Sequence, residues 1–263
     1  MGQLGPLTGK YGKSRSFLFA WWCLAALFAG AGVLVLLLIP GEGSNVRFSG
    51  DISLLYQVGI GGLALGVATA LGAWLVTRSQ PTFYLHEQGV RTVGPGGERC
   101  DLYRDIEDVY TFYAGGIGWR ASSQGSWTFA GGRISRLAEL TRQLRTAHAE
   151  QRGERLYQAL MAGETVKFRC LPDEVALSKS FFASRDMQHP TYEIELTRSE
   201  LRIGGKALPI QRIGEITTHS WKERTRIVDV EGQVFHSMHL TALLSFDVWL
   251  ALLERLRQGP AAA

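Results

Sequence analysis

The chain is poor in cysteine, in charge and in lysine. Its three cysteines, Cys23, Cys100 and Cys170, are scattered through 263 residues. An odd and scattered set excludes a disulfide framework and lacks the paired spacing of a zinc site. Charged residues are 20% of the chain against 46% hydrophobic, too apolar for disorder. The net charge of +4 is spread thinly. Four bases face two acids in the first 77 residues, and 24 bases face 22 acids in the other 186. That balance excludes the clustered basic face that DNA or RNA requires, so no nucleic acid is expected as a partner. Arginine outnumbers lysine 22 to six. The codon bias of a GC-rich bacterial genome accounts for this better than phosphate recognition does.

Catalytic motifs are missing too. There is no GxSxG, no HExxH, no P-loop and no Cys–His arrangement of family spacing. His236 and His239 read as a ligand pair only until their setting is considered. At i and i+3 on a strand they point to opposite faces. The acids Asp101, Asp105, Glu107 and Asp108 read as a solvated turn and strand edge offset by Arg99 and Arg104. Gly115-Gly116-Ile117-Gly118 lies between two strand-like runs and reads as a hairpin. Gly131-Gly132-Arg133 precedes a helix but has no other part of a nucleotide site. The expectation is a non-enzymatic chain with no cofactor, no metal and no small-molecule substrate. A metal-dependent enzyme built on Asp105 and Asp108 is the remote alternative.

Charge is wholly absent from two long stretches. Phe17 to Ile39 is an uncharged run of 23 residues, roughly 35 Å as a helix, and Leu54 to Thr77 is a second of similar reach. Trp21, Trp22, Tyr56 and Trp74 suit interfacial anchoring. The first run is longer than the apolar part of a signal peptide. The expectation is two transmembrane helices, 17–39 and 54–77, joined by a periplasmic loop, 40–53. The flank 1–16 carries Lys10, Lys13 and Arg15, and Arg78 follows the second span. By the positive-inside rule both termini face the cytoplasm of a multi-pass protein of the bacterial inner membrane. Gly62 and Gly66 form a GxxxG, and Ala26 and Gly30 a small-xxx-small. Either pair suits close helix packing, within the hairpin or between copies. Neither span holds a charge, which speaks against an ion pathway.

Four residues, Arg78 to Pro81, link the second span to the first strand-like run, a reach of about 14 Å. Thr82–His86, Val90–Val93, Cys100–Tyr103, Ile106–Tyr113, Ile117–Ala121 and Trp127–Ala130 then alternate with glycine turns. Ile134, Leu137, Leu140, Leu144 and Ala147 recur at helical spacing, with an extension or a second helix after Gly153. The second half repeats this text. Leu85 to Val90 aligns with Leu196 to Leu201, and Tyr103 to Val109 with Ile210 to Ile216. A final helix, Phe246 to Leu256, places Phe246, Trp249, Leu250 and Leu253 on one face.

The paired strand–Gly–strand texts, each followed by a helix, resemble bacterial membrane-anchored pleckstrin-homology-like (PH-like) proteins. The resemblance implies an α+β fold: two N-terminal transmembrane helices, then two bent antiparallel sheets, each closed by a C-terminal helix, at 81–163 and 164–258. In lipid-binding members a basic first hairpin loop holds inositol phosphates. Here those loops carry only Arg99 and Lys206, so that ligand is not expected. What the resemblance implies is an interaction module at the membrane, with the lipid bilayer and a protein partner or a second copy as its contacts. Tyr110, Phe112, Tyr113, Trp119 and Trp127 are the candidate partner surface. Arg142 and Arg145, with Arg152 near them, are candidate contacts to anionic lipid, alongside Lys10, Lys13, Arg15 and Arg78. An immunity-type protein that neutralises an antibacterial toxin is the alternative function.

Overall fold

The structure, a computed structural model, describes residues 4–39, 51–112, 115–176, 189–219 and 224–259. Most of the expected loop 40–53, including Arg47, and the candidate residue Tyr113 lie outside the described residues. The fold is mixed α+β with two long apolar N-terminal helices and antiparallel sheets. It divides into two bodies. One is residues 12–82 with 93–97, and the other is the remainder of the chain.

The first body is a helical hairpin of α1 (Arg15–Leu37) and α2 (Ile52–Ser79). Ser14 caps α1 by accepting from the Phe17 amide, and Asp51 caps α2 by accepting from the Ser53 amide. Both helices are long and apolar enough to cross a membrane, and only 11% and 22% of their most apolar stretches are buried. A core helix of a soluble domain would be covered. Here Leu27, Leu34, Ile60 and Leu75 are exposed.

Small residues set the contact between the helices. A Cβ on Gly32 would lie 2.6 Å from the Gly59 carbonyl oxygen, and one on Gly66 would lie 2.8 Å from the Ala29 amide nitrogen. Gly62 also abuts Gly32. The GxxxG of α2 therefore packs on α1 within the hairpin. Ala26 and Gly30 do not join it. Both are exposed, and nothing lies within 4 Å of a Cβ on Gly30. At 3.6 residues per turn, the face formed by Ala25, Ala29 and Gly32 is rotated away from them. Gly32→Leu is expected to destabilise the hairpin by about 1–3 kcal/mol through overpacking, whereas Gly30→Leu is neutral. Thermal melts in detergent check this, with equal melting points for the two variants as the contrary result.

The second body contains the same element order twice. The first pass is β1 (Leu7–Tyr11), β2 (Thr82–His86), β3 (Gly89–Gly94) and β4 (Gly97–Leu102) in one sheet, neighbours in that order. A 3-10 turn (Tyr103–Asp105) leads to the sheet of β5 (Asp108–Thr111), β6 (Ile117–Arg120) and β7 (Thr128–Ala130), and then to α3 (Leu137–Met161). The second pass is β8 (Val166–Cys170), β9 (Tyr192–Leu196), β10 (Glu200–Ile203) and β11 (Lys206–Pro209), again neighbours in chain order. Another 3-10 turn (Ile210–Arg212) leads to β12 (Ile213–His219), β13 (Arg224–Asp229), β14 (Val234–His239) and α4 (Phe246–Gln258).

The aligned positions occupy equivalent places. Leu85 and Val90 are buried across the β2–β3 turn, as Leu196 and Leu201 are across β9–β10. Tyr103 and Ile106 are buried at the first 3-10 turn, as Ile210 and Ile213 are at the second. Each helix also begins after a residue in the left-handed region, Arg136 and Ser245, both at φ 54°.

One sequence expectation changes. The flank 1–16 is not a free tail, because β1 pairs antiparallel with β2 and matches Tyr11 to Phe83. Leu4 and Tyr11 are buried. The helical hairpin thus interrupts the first repeat between its first and second strands, where the second repeat has residues 171–191. As a short edge strand with two inward positions, Leu7–Tyr11 has too little alternation to be read from sequence. Helix α3 runs unbroken through Gly153, the extension being the one of the two sequence readings that the structure adopts.

Candidate functional site

The junction between the two repeats gathers a network of buried and half-buried polar groups. Strand β5 brings Asp108 to its centre. Asp108 Oδ2 accepts from Arg120 Nε at 2.6 Å and from Arg169 Nη2 at 2.7 Å. Arg120 belongs to the first repeat and Arg169 to the second, so one carboxylate ties them together. Glu107 adds a second contact to Arg169 at 2.7 Å. Ser245, at the start of α4, donates its hydroxyl to the Glu107 carbonyl at 3.1 Å and accepts from the Val109 amide at 3.0 Å. Its own amide donates to the Val109 carbonyl at 2.7 Å. The start of α4 thus occupies the free edge of β5. Arg145 of α3 holds Asp247 of α4 with two 2.6 Å hydrogen bonds.

This junction buries the aromatic residues expected to form a partner surface. Tyr110 and Phe112 are 1% and 4% exposed and belong to the core of the second repeat. Trp119 is fully buried in the core of the first, and its Nε1 donates to Asp101 at 3.1 Å. Trp127 is half-buried, stacked on Phe129 and under the Arg120 guanidinium. The exposed partner surface is therefore corrected for Tyr110, Phe112 and Trp119, which are covered by the second repeat or by their own core. Strand alternation alone cannot show this, because a second sheet or helix can cover either face.

The acidic cluster is corrected as well. Asp101 and Asp108 are buried, not solvated. Asp101 is held by Arg99 at 2.8 Å, and Asp105 by Arg155 at 3.0 Å. Among the described residues no group of three or more potential ligands is placed to hold a metal ion. His236 and His239 turn to different partners, Tyr192 and Thr241.

The basic candidates separate. Lys10 lies on β1 over the Tyr84 ring, and Arg78 lies over the Trp74 ring. Lys13 and Arg15 precede and open α1. Arg142 and Arg145 line one cleft of about 860 Å³ between α3 and the Gly115–Gly116 turn. A smaller pocket of about 230 Å³ shares Thr111, Arg145 and Asp247 with it and is lined also by His148.

His148 lies under this junction. Its Nε2 donates to the Ile106 carbonyl at 3.1 Å, the role the carbonyl imposes. Burial, reinforced by the Arg152 charge, pushes its pKa down to about 4. The unfolded value is about 6.5, so as pH falls through that value the unfolded chain takes a proton that the native one refuses. Stability is complete above pH 6.5 and declines toward pH 4. Between pH 7 and 5 the native protein is expected to lose about 2 kcal/mol more than His148→Gln does. Urea unfolding at the two pH values measures this, and equal losses would sink the assignment.

The second repeat has its own buried chain of polar groups. Cys170 donates to the Tyr192 hydroxyl at 3.0 Å, which lies 3.3 Å from His236 Nε2. Burial pushes the Cys170 thiol up to about 12 and lowers His236. This thiol is inert, unlike the exposed Cys100. Sequence reading missed the Asp108–Arg169 pair, Ser245 and His148. Their partners lie tens of residues away, and no local spacing announces them. No family model matches the chain, and no curated protein matches it significantly in sequence.

Proposed function

We propose that the chain is a non-enzymatic protein of the bacterial inner membrane that presents a tandem PH-like module to the cytoplasm for protein binding, scaffolding or self-assembly. One observation carries the reading. A four-stranded sheet, a three-stranded sheet and a helix occur twice in the same order, and the apolar hairpin interrupts the first copy between its first two strands. Seven strands followed by a helix is the PH-like order, and α4 offers Trp249 and Leu253 as its apolar plug. The pairing of β1 with β2 supports a single side of the bilayer for the N-terminal strand and both repeats. The bases flanking the hairpin favour the cytoplasm for that side. The buried carboxylates are held by arginine or indole partners, which supports binding in place of catalysis.

Two experiments test this. A pull-down from solubilised membranes is expected to recover a stoichiometric protein partner or a self-oligomer, and monomer alone overturns the reading. In a Cys23→Ser variant, Cys100 is expected to resist a membrane-impermeant maleimide in intact spheroplasts and to react after permeabilisation. Cys170 stays silent until denaturation. Labelling of Cys100 in intact spheroplasts reverses the orientation.

A further inference from the structure

We propose that the cleft along α3 binds a single-chain amphiphile with an anionic head. The cleft, about 860 Å³, falls within the size range of small-molecule sites. Among the described residues, Leu137, Ala138 and Ala149 supply apolar surface on the α3 wall, which also carries Arg142, Arg145 and Glu150, and the Gly115–Gly116 backbone lines the cleft as well. Gly116 cannot be replaced without closing in on its neighbours. Its φ is 120°, and a Cβ there would lie 2.8 Å from the Ala130 carbonyl oxygen. The narrow backbone wall is thus a requirement of the turn, and it leaves the space open.

The polar groups of the cleft point to the head group. Arg145 is neutralised by its two hydrogen bonds to Asp247. Arg142 is different: among the described residues it has no hydrogen bond and no ion pair. Glu150, the other acid of the cleft, stands eight residues along the helix, about 12 Å away. Arg142 therefore offers an unpaired cation, and Leu137, Ala138 and Ala149 on either side of it along α3 offer apolar surface. An anionic head on an alkyl chain answers both. None of the described residues lining the cleft is an activated nucleophile, so the proposal is one of binding and not of conversion. This inference does not depend on a protein partner, and the pull-down and the ligand test fail separately.

The test is photocrosslinking of the full-length protein in nanodiscs with a diazirine-bearing dodecanoic acid, the modified residues being read by mass spectrometry. Crosslinks are expected on α3 between Leu137 and Ala149, competed at least tenfold better by dodecanoate than by dodecanol. Arg142→Gln is expected to reduce their yield about tenfold. Ala138→Trp is expected to abolish them, with a melting curve reporting that the variant is folded. Dodecyl phosphate as a second competitor identifies the head, since the anion effective at the lower concentration has the preferred group. Crosslinks confined to α1 and α2, equal competition by dodecanol, or an undiminished yield in Arg142→Gln would each overturn the proposal.

Discussion

Replacing Asp108 by alanine is expected to lower the unfolding free energy by about 3–5 kcal/mol, the usual cost of breaking a buried ion pair from one side. The geometry explains the size. The Asp108 side chain is 4% exposed, Arg120 9% and Arg169 18%. Removing the carboxylate leaves the Arg120 guanidinium with only the Ser123 carbonyl, at 2.6 Å, and the Trp127 ring. Arg169 retains Glu107 on its more exposed side. Arg152 is half-buried nearby, and burial works against its charge while Glu107 and Asp108 partly offset that cost. Arg169 and Arg152 would then share one glutamate. Asp108→Asn keeps the shape and one acceptor, so its loss should be smaller. Because Arg169 lies in the other repeat, Asp108→Ala and Arg169→Leu should be strongly non-additive in a double-mutant cycle. Chemical denaturation in detergent measures all three variants. A loss below about 1 kcal/mol for Asp108→Ala would place the network among exposed ion pairs and falsify the view that it joins the repeats.

The second large effect is expected at Trp249, where alanine should cost about 3–5 kcal/mol. Trp249 is fully buried against the core of the second repeat, beside Phe246 at a ring separation of 5.8 Å. A tryptophan at this depth removes roughly 200 Å² from water, worth about 5 kcal/mol at 25 cal/mol per Å². Its Nε1 is buried without a partner. Trp249→Phe removes that unpaired donor as well as some volume, so it should lose clearly less than Trp249→Ala. Equal losses for the two would show that the volume left unfilled does not set the cost. The same melts, followed by tryptophan fluorescence, decide between them.

Much of the architecture follows from patterns only a few residues long. Two charge-free runs produce two long apolar helices, because a helix satisfies every backbone hydrogen bond within the run when its surroundings are apolar. Period-two and period-3.6 patterns locate most strands and both helices. The alignment of Leu85–Val90 with Leu196–Leu201 corresponds to two equivalent strand turns, since a buried residue before and after a tight turn is a local requirement. The contact faces are less legible. Gly62 and Gly66 face α1 and Ala26 and Gly30 do not, although both pairs have the same spacing. Spacing fixes which residues share a helix face; only the partner helix decides which face is used.

Sequence by itself determined the apolar hairpin, the repeated strand-and-helix text and the absence of catalytic motifs, all of which are properties of neighbouring residues. Tertiary structure alone decided that Leu7–Tyr11 completes the first sheet, that Tyr110 and Phe112 are buried by the second repeat, and that Asp108 is an inter-repeat bond and not a solvated acid. It also brought Thr141, Arg142 and the Gly115–Gly116 turn around one cleft. The physical reason is the same in each case. Burial and pairing of a side chain depend on groups distant in the chain, and nothing in its immediate neighbours specifies which distant group arrives.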